Sequence, residues 1–325
     1  MADLNVSNKE NIAIAMATFN GEKYLAAQIE SILSQSYSDW VLFIHDDGSS
    51  DNTIAIIEQY AVKYPKKIIS IEDNTLFSSH GGAMSNFFGI LEWIRKNDPA
   101  FSYFMLCDQD DWWLPNKIAE EVKAIKRIEE SGAIPAVVHS DVMITDESLT
   151  ILSDSFYTYA GLEPTKSNLS SLVMDNVFIG CTMLWNKKLN DILDFFPEHA
   201  LMHDWWIGLS SAVVGKVGYI CCPLMYYRQH GNNTVGAKEK AYSAAYFSSK
   251  LRTIQQLRAN YLACFQQAGC VLKAYEGQMD EDKSQVLGAI VQIPSMPKVK
   301  RVQTIHKYHI FRQKRISRFA EILLI

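Results

Sequence analysis

Phe101-Ser-Tyr-Phe-Met-Leu-Cys107 runs straight into Asp108-Gln109-Asp110-Asp111, and Trp112-Trp113-Leu114-Pro115 follow at once. A short apolar run bounded by charge predicts a buried strand. Three carboxylates packed into four positions at its end repel one another. A divalent cation that prefers oxygen, Mg²⁺ or Mn²⁺, would relieve that repulsion. An acidic turn with Asp111 capping a helix that starts near Leu114-Pro115-Asn116-Lys117 accounts for the same residues. The rest of the chain decides between the two.

Upstream, Ile12–Ala17 and Trp40–His45 are continuous apolar runs, as expected of strands covered on both faces. Each is followed by a helical pattern, over Glu22–Ser36 and Asn52–Tyr64, and Lys67–Ile71 adds a third strand. Strand–helix alternation at this pace predicts a parallel α/β sheet. Such sheets bind ligands beyond the carboxyl ends of their strands. The polar clusters at 18–21, 46–51 and 108–111 all fall there, so they are expected to share one site. Downstream, the pattern predicts a helix over Ala83–Arg95 and another over Ile118–Ser131. Next come a strand over Ala136–His139 and a hairpin over Val142–Leu152, then an irregular stretch from 153 to 170. A strand over Val177–Trp185 is interrupted by Gly180, and a helix over Lys187–Phe196 follows. The domain closes with a helix from His203 to about Val214 and strands over Val217–Cys221 and Leu224–Arg228.

The chain has 325 residues, 48% hydrophobic and 21% charged, with a net charge of -5. Such a balance suits a soluble globular protein and makes no general demand for nucleic acid. The N-terminus lacks a signal-peptide core, and no apolar run is long enough to span a bilayer, so a cytoplasmic location is expected. None of the six cysteines has metal-type spacing, and buried free thiols are expected. Residues 1–10 read as a loose leader, 11–237 as the α/β domain, and 238–325 as a helical, basic extension.

The three clusters supply particular chemistry. An aromatic ring can stack on a base, a carboxylate can accept from a pyrimidine N3–H, and metal-bound carboxylates can hold a diphosphate. Together they suit a pyrimidine nucleoside diphosphate. Asp204 stands at a predicted helix start between His203 and the rings of Trp205 and Trp206. Apolar neighbours raise a carboxyl pKa and favour a general base, although a plain N-cap fits the same position. Arg228 or His230 could meet the diphosphate, and His230 could be a metal ligand or a solvent-facing loop residue. Gly180 allows close backbone approach near an acceptor sugar, or else marks a bulge. Trp112, Trp113, Trp205 and Trp206 could form a sugar-stacking platform, with some of them in the core.

Ala17-Thr-Phe-Asn-Gly-Glu-Lys-Tyr-Leu25, Gln28–Gln35, Asp46-Asp-Gly-Ser-Ser-Asp51 and Asp108-Gln-Asp-Asp111 resemble family 2 glycosyltransferases, inverting enzymes of the GT-A fold. Asp108–Pro115, Gly180-Cys-Thr-Met183, Met202-His-Asp-Trp-Trp206 and Tyr227–Asn233 look most like the bacterial rhamnosyltransferases of cell-surface polysaccharide assembly. The resemblance implies a Rossmann-like, mostly parallel sheet flanked by helices, with a C-terminal helical extension. It implies Phe19 against the nucleobase, Asp47 on its N3–H and Asp108 near the ribose. Thr18, Asn20, Asp46, Gln109 and Arg228 would complete the nucleotide-sugar site. Asp110, with His230, would hold Mn²⁺ or Mg²⁺, with Asp111 behind them as a supporting or helix-capping group. Asp204 would be the catalytic base, and Gly180, Trp205 and Trp206 would face the acceptor. The donor implied is dTDP-L-rhamnose, with a UDP-sugar as the alternative, and the acceptor a lipid-linked saccharide.

Lys298–Arg318 carries eight Lys or Arg and no acid, interspersed with Val299, Val302, Ile305, Tyr308, Ile310 and Phe311. This fits binding to an anionic membrane face, or a helix packed on the domain or on a second subunit. Two other classes are weaker. A nucleotidyltransferase would want a glycine-rich basic loop after the first strand. An inactive carbohydrate-binding relative would be expected to lose the carboxylates that are present here.

Overall fold

The computed structural model describes residues 11–77, 82–130, 132–165, 168–195, 197–231 and 250–313. The leader 1–10, the boundary near 237 and the end of the basic stretch lie outside these residues. In chain order the elements open with β1 (Ile12–Thr18), α1 (Leu25–Leu33), β2 (Trp40–Asp46), α2 (Thr53–Lys63), β3 (Ile68–Ser70) and α3 (Ala83–Asn97). They continue with β4 (Tyr103–Cys107), β5 (Trp112–Trp113), α4 (Lys117–Glu129), β6 (Ala136–Thr145), β7 (Ile151–Ser153), α5 (Phe156–Ala160) and α6 (Leu169–Met174). The last are β8 (Met183–Asn186), α7 (Lys187–Ile192), α8 (His203–Val214), β9 (Lys216–Arg228), α9 (Lys250–Ala274), α10 (Glu281–Gln292) and α11 (Lys298–Lys307).

The sheet runs β3-β2-β1-β4-β8-β6-β9-β5, with β7 on β6. β3, β2, β1 and β4 are parallel, β8 opposes β4 and β6, β9 is parallel to β6, and β5 opposes β9. The parallel sheet expected from the apolar runs is present as the β3-β2-β1-β4 half, and the sheet as a whole is mixed. Every residue of β4 is buried, which is why the run reads as unbroken hydrophobicity. Thr18 pairs with Asp46 and Met16 with Cys107. This register brings all three polar clusters to one edge of the sheet.

Several boundaries differ from expectation. Glu22, Lys23 and Tyr24 form a turn, with Gly21 O accepting from Tyr24 and Leu25 N–H, so α1 starts three residues late. The two short strands expected over 136–145 are one strand, and so are the two over 217–228. Their mutual register slips between Ser140 and Met143, so each is continuous where the sequence pattern breaks. Of the strand expected over Val177–Trp185 only Met183–Asn186 is extended, because Gly180–Thr182 is a 3-10 turn packed on His203. Gly180 is thus not a bulge. The stretch 153–170 contains α5 and the start of α6, and the helix from Lys187 stops at Ile192. Trp112–Trp113 form an edge strand, and Asn116 precedes α4, so Asp111 caps no helix.

Within the helical extension expected over 238–325, α9 is described from Lys250, and 241–249 lie outside the described residues. Tyr261, Phe265, Leu287, Ile290, Ile305 and Ile310 join the same buried cluster as Leu172, Val173 and Trp206. The helices after 249 therefore share the core of the α/β unit. Ile305 and Ile310, expected either on a membrane-facing side or against the domain or a second subunit, are each 1% exposed and pack against the domain.

Candidate active site

The loops after β1 and β2 are sewn together. Asn20, at φ +48°, donates its N–H to Ser49 Oγ at 2.7 Å and accepts Ser50 N–H on Oδ1 at 2.9 Å. Gly21 N–H reaches Thr53 Oγ1 at 2.7 Å. Asp46 is absorbed by its own turn, accepting from Thr18 Oγ1, Ser49 Oγ and the Gly48 and Ser49 N–H groups. Thr18, Asn20 and Asp46, expected as nucleotide contacts, hold the two loops together. Asp47 N–H donates to Thr18 O, and its Oδ2 accepts Gly82 N–H at 2.9 Å, which ties the segment before α3 to this corner.

Phe19 is 55% exposed, an unusual state for a phenylalanine and the one a stacking ring requires. Gln109 holds its backbone from both sides. Oε1 accepts Phe19 N–H at 3.0 Å, and Nε2 donates to Phe19 O at 2.9 Å. A Cβ on Gly21 would stand 2.2 Å from Gln109 Oε1, so glycine is what admits the glutamine. Gln109, expected to touch the nucleotide, holds Phe19.

The carboxylates divide into two groups. Asp110 Oδ2 lies 2.7 Å from His230 Nε2. His230 is therefore no free loop residue, and its ring sits 4.9 Å from that of Tyr24. Deeper, Asp108, Asp111 and Cys181 bring one ligand atom each within 4.8 Å of one another. Asp108 is pushed up to about 7 by burial and then by the charges of Asp110 and Asp204. Burial, followed by Asp110 and Asp108, holds Asp111 well above the usual carboxylate range. Its Oδ1 accepts Arg228 N–H at 3.1 Å, while Oδ2 is buried with no hydrogen-bond partner.

A divalent cation fits this corner. Asp110 and His230 offer a carboxylate oxygen and an imidazole nitrogen side by side, and the flanking acids crowd negative charge that a cation would offset. Burial keeps the Cys181 thiol well above its ordinary pKa, so it is a poor thiolate ligand and the donors are hard ones. Arg228, 5% exposed, faces inward. Its Nε donates to Asp110 O at 2.7 Å, Nη1 donates to Glu147 O, and the guanidinium lies 4.6 Å from the Tyr24 ring centre. It braces the Asp110 loop where a diphosphate contact was expected.

Asp204 is 7% exposed in the first turn of α8, whose N-cap is Met202, so Asp204 is not the cap itself. Oδ1 accepts Asn176 Nδ2 at 3.0 Å and Trp205 N–H at 2.6 Å. Burial raises its pKa, against the opposing effects of His203 and these donors. The closeness expected at Gly180 is real, but the neighbour is His203, whose Nε2 would lie 2.8 Å from an added Cβ. Trp206 is fully buried with its N–H on Asp194 O, and Trp113 is also fully buried. These two are core, not a sugar platform. Trp205, 9% exposed, donates its indole N–H to Leu172 O and lines a pocket. Asn176 and Tyr24 were missed by sequence reasoning. Nothing local marks Asn176, whereas Tyr24 becomes legible only as the ring beneath Arg228 and His230.

The model of the family described as "Glycosyl transferase family 2" matches residues 13–193. Among characterised relatives, the dTDP-rhamnosyl transferase RfbG of Shigella flexneri is 29% identical over 235 residues, 68% of this chain and 74% of that protein. The UDP-Glc:alpha-D-GlcNAc-diphosphoundecaprenol beta-1,3-glucosyltransferase WfgD of Escherichia coli is 23% identical over 65% of this chain and 73% of its own length. The structure of S. aureus TarS 1-349 in complex with UDP superposes with a TM-score of 0.50 at 13% identity, covering 89% of this chain and 73% of that one. The shared fold is GT-A.

Proposed function

The chain belongs to glycosyl transferase family 2, and we propose that it is a metal-dependent inverting transferase moving L-rhamnose from dTDP-L-rhamnose onto a lipid-linked saccharide in cell-surface polysaccharide synthesis. One observation carries the reading. Cys181 lies in the Asp108–Asp111 cluster while its neighbour Gly180 packs on His203, so two adjacent residues tie the acidic corner to the helix bearing Asp204. A donor held at the first and a hydroxyl activated at the second would meet across that dipeptide.

In this reading Phe19 lies against the base, Asp47 accepts its N3–H and Asp108 approaches the ribose. Asp110 and His230 hold Mn²⁺ or Mg²⁺, which when bound neutralises the diphosphate leaving group. Asp204 takes the proton from the acceptor hydroxyl. The oxygen attacks the anomeric carbon opposite the diphosphate, the bond to the diphosphate breaks, and configuration inverts in one displacement. RfbG, a dTDP-rhamnosyl transferase, supports the rhamnosyl donor, whereas WfgD, a UDP-Glc-dependent glucosyltransferase, supports a UDP-sugar as the second reading. The transferase unit is assigned to 11–237 and the helical region to 238–325.

Among the described residues no helix is long and apolar enough to cross a membrane. Exposed Lys298, Val299, Lys300 and Lys307 suit a peripheral contact with an anionic inner leaflet. Retention of the full-length protein by anionic liposomes at low salt supports that contact, and its absence removes it. A donor panel with Mn²⁺ (dTDP-rhamnose, UDP-galactose, UDP-glucose, UDP-N-acetylglucosamine, GDP-mannose) tests the donor. Turnover with dTDP-rhamnose is expected, and turnover only with a UDP-sugar ends the rhamnosyl assignment.

A further inference from the structure

Three basic side chains meet the ring of Tyr24. The Arg228 guanidinium lies 4.6 Å from its centre, the Lys23 ammonium 4.8 Å, and the His230 ring 4.9 Å at a tilt of 33°. Two of these neighbours hold the acidic corner. His230 presents Nε2 at 2.7 Å from Asp110 Oδ2, and Arg228 donates its Nε to Asp110 O at 2.7 Å. The side chain and the backbone of Asp110 are thus each met by a group that rests on the same ring. The third neighbour, Lys23, turns outward to an ion pair with Glu147 at 2.5 Å. Both partners of that pair are more than half exposed, and such pairs contribute little.

Local structure explains why a ring is useful there. β9 ends at Arg228, so His230 stands two residues beyond the sheet, after Gln229 has donated its N–H to Thr145 O. A histidine that serves as a metal ligand needs a fixed ring plane as well as a fixed backbone, with its nitrogen held within about 0.5 Å of the productive position. Tyr24 is itself firmly placed. Its N–H donates to Gly21 O at 3.0 Å, and its carbonyl accepts Gln28 N–H at 3.0 Å. Gly21 N–H in turn is bound by Thr53 Oγ1 of α2. The ring therefore stands at the start of α1, on a turn anchored to a second helix, and meets a loop that has left the sheet. We propose that Tyr24 is a positioning residue of the metal corner, whose ring sets the plane of His230 and the reach of Arg228, and so the spacing of the donors that His230 and Asp110 offer. The face of an aromatic ring attracts a guanidinium and packs on an imidazole, so it holds both without competing for the nitrogen that faces Asp110. The role needs the ring and not the hydroxyl.

This inference rests on the reading of Asp110 and His230 as metal ligands, and its test separates the two. Mn²⁺ binding to the full-length protein is read from the paramagnetic resonance of the free ion. Tyr24→Leu should weaken it about tenfold, the low end of the range for losing a group that orients a ligand, while Tyr24→Phe should stay within about twofold of the wild type. Tyr24→Met, which puts a flexible chain in place of the ring, should match Tyr24→Leu. Tyr24→Leu combined with His230→Ala should lose clearly less affinity than the two single losses multiplied together, because a residue that acts through His230 has less left to orient. In turnover, the loss in Tyr24→Leu should be recovered at saturating Mn²⁺, so that KM for the metal rises while kcat is held. Unchanged Mn²⁺ affinity in Tyr24→Leu, a loss of the same size in Tyr24→Phe, full additivity in the double variant, or loss of the folded state in both Tyr24→Leu and Tyr24→Met overturns the role of Tyr24. Wild-type Mn²⁺ binding that Asp110→Asn and His230→Ala both leave unaltered overturns the metal reading instead.

Discussion

Gln109 grips the backbone of Phe19 with both ends of its amide, at 3.0 Å to the N–H and 2.9 Å to the carbonyl oxygen. The middle residue of the acidic stretch therefore acts on the ring expected to carry the nucleobase. Gln109→Ala should leave the fold intact and free the 19–20 loop. With two hydrogen bonds each worth ~1 kcal/mol net, affinity for UDP or dTDP should fall by up to about thirtyfold, measured by titration calorimetry. Gly21→Ala should act in the same direction by displacing the glutamine.

Asp110→Asn and His230→Ala should each lower Mn²⁺ affinity, read by the paramagnetic resonance of free Mn²⁺. Each should reduce metal-dependent turnover by about 10²-fold or more, the scale of losing one charge-stabilising group. Normal activity in both variants would remove the metal from this corner.

The pH dependence follows from Asp204. Burial raises its pKa, and the base works only when deprotonated, so turnover should fall as pH drops through that raised value. The acid limb should lie above the usual carboxylate range near ~4. Asn176→Ala removes a donor that favours the charged form, so the limb should move to higher pH. A kcat profile measured from about pH 5 to about pH 9 checks both the position and the direction of the shift. An unmoved limb in the variant would assign Asn176 a purely structural part.

Ile305 is buried in the cluster that joins the C-terminal helices to the α/β unit. Ile305→Ala should cost about 2–5 kcal/mol, seen as a lower melting temperature, as for other large-to-small core changes. A substitution at a membrane-facing position would leave the melting temperature unchanged.

The parallel half of the sheet was legible because its strands are covered on both faces and read as unbroken apolar runs. Asp108, Asp110 and His230 could be placed together because strand ends converge by topology. Other roles were hidden because they depend on which way a side chain turns. Arg228 has the charge for a diphosphate contact and Asp46 is an acceptor of the kind a nucleoside needs, yet each makes hydrogen bonds to the loops around it. Trp206 and Trp113 look the same in sequence as Trp205, and only packing sends them into the core. Asp111 precedes a helix by too many residues to cap it, because Trp112 and Trp113 are taken up by an edge strand. The 231-to-250 region, where the two parts of the chain were divided, lies mostly outside the described residues. The shared core shows that the helices beyond it belong to the same packed unit.

The central claim is that Asp204 activates the acceptor while the Asp110 corner holds the donor. Asp204→Asn tests it most directly, because the amide keeps the shape of the side chain and loses the proton-accepting oxygen. Sugar transfer should fall by about 10²–10⁴-fold, with the affinity for nucleoside diphosphate and Mn²⁺ unchanged in the same preparation. Retained transfer, or a loss of nucleotide affinity as large as the loss of rate, would contradict it.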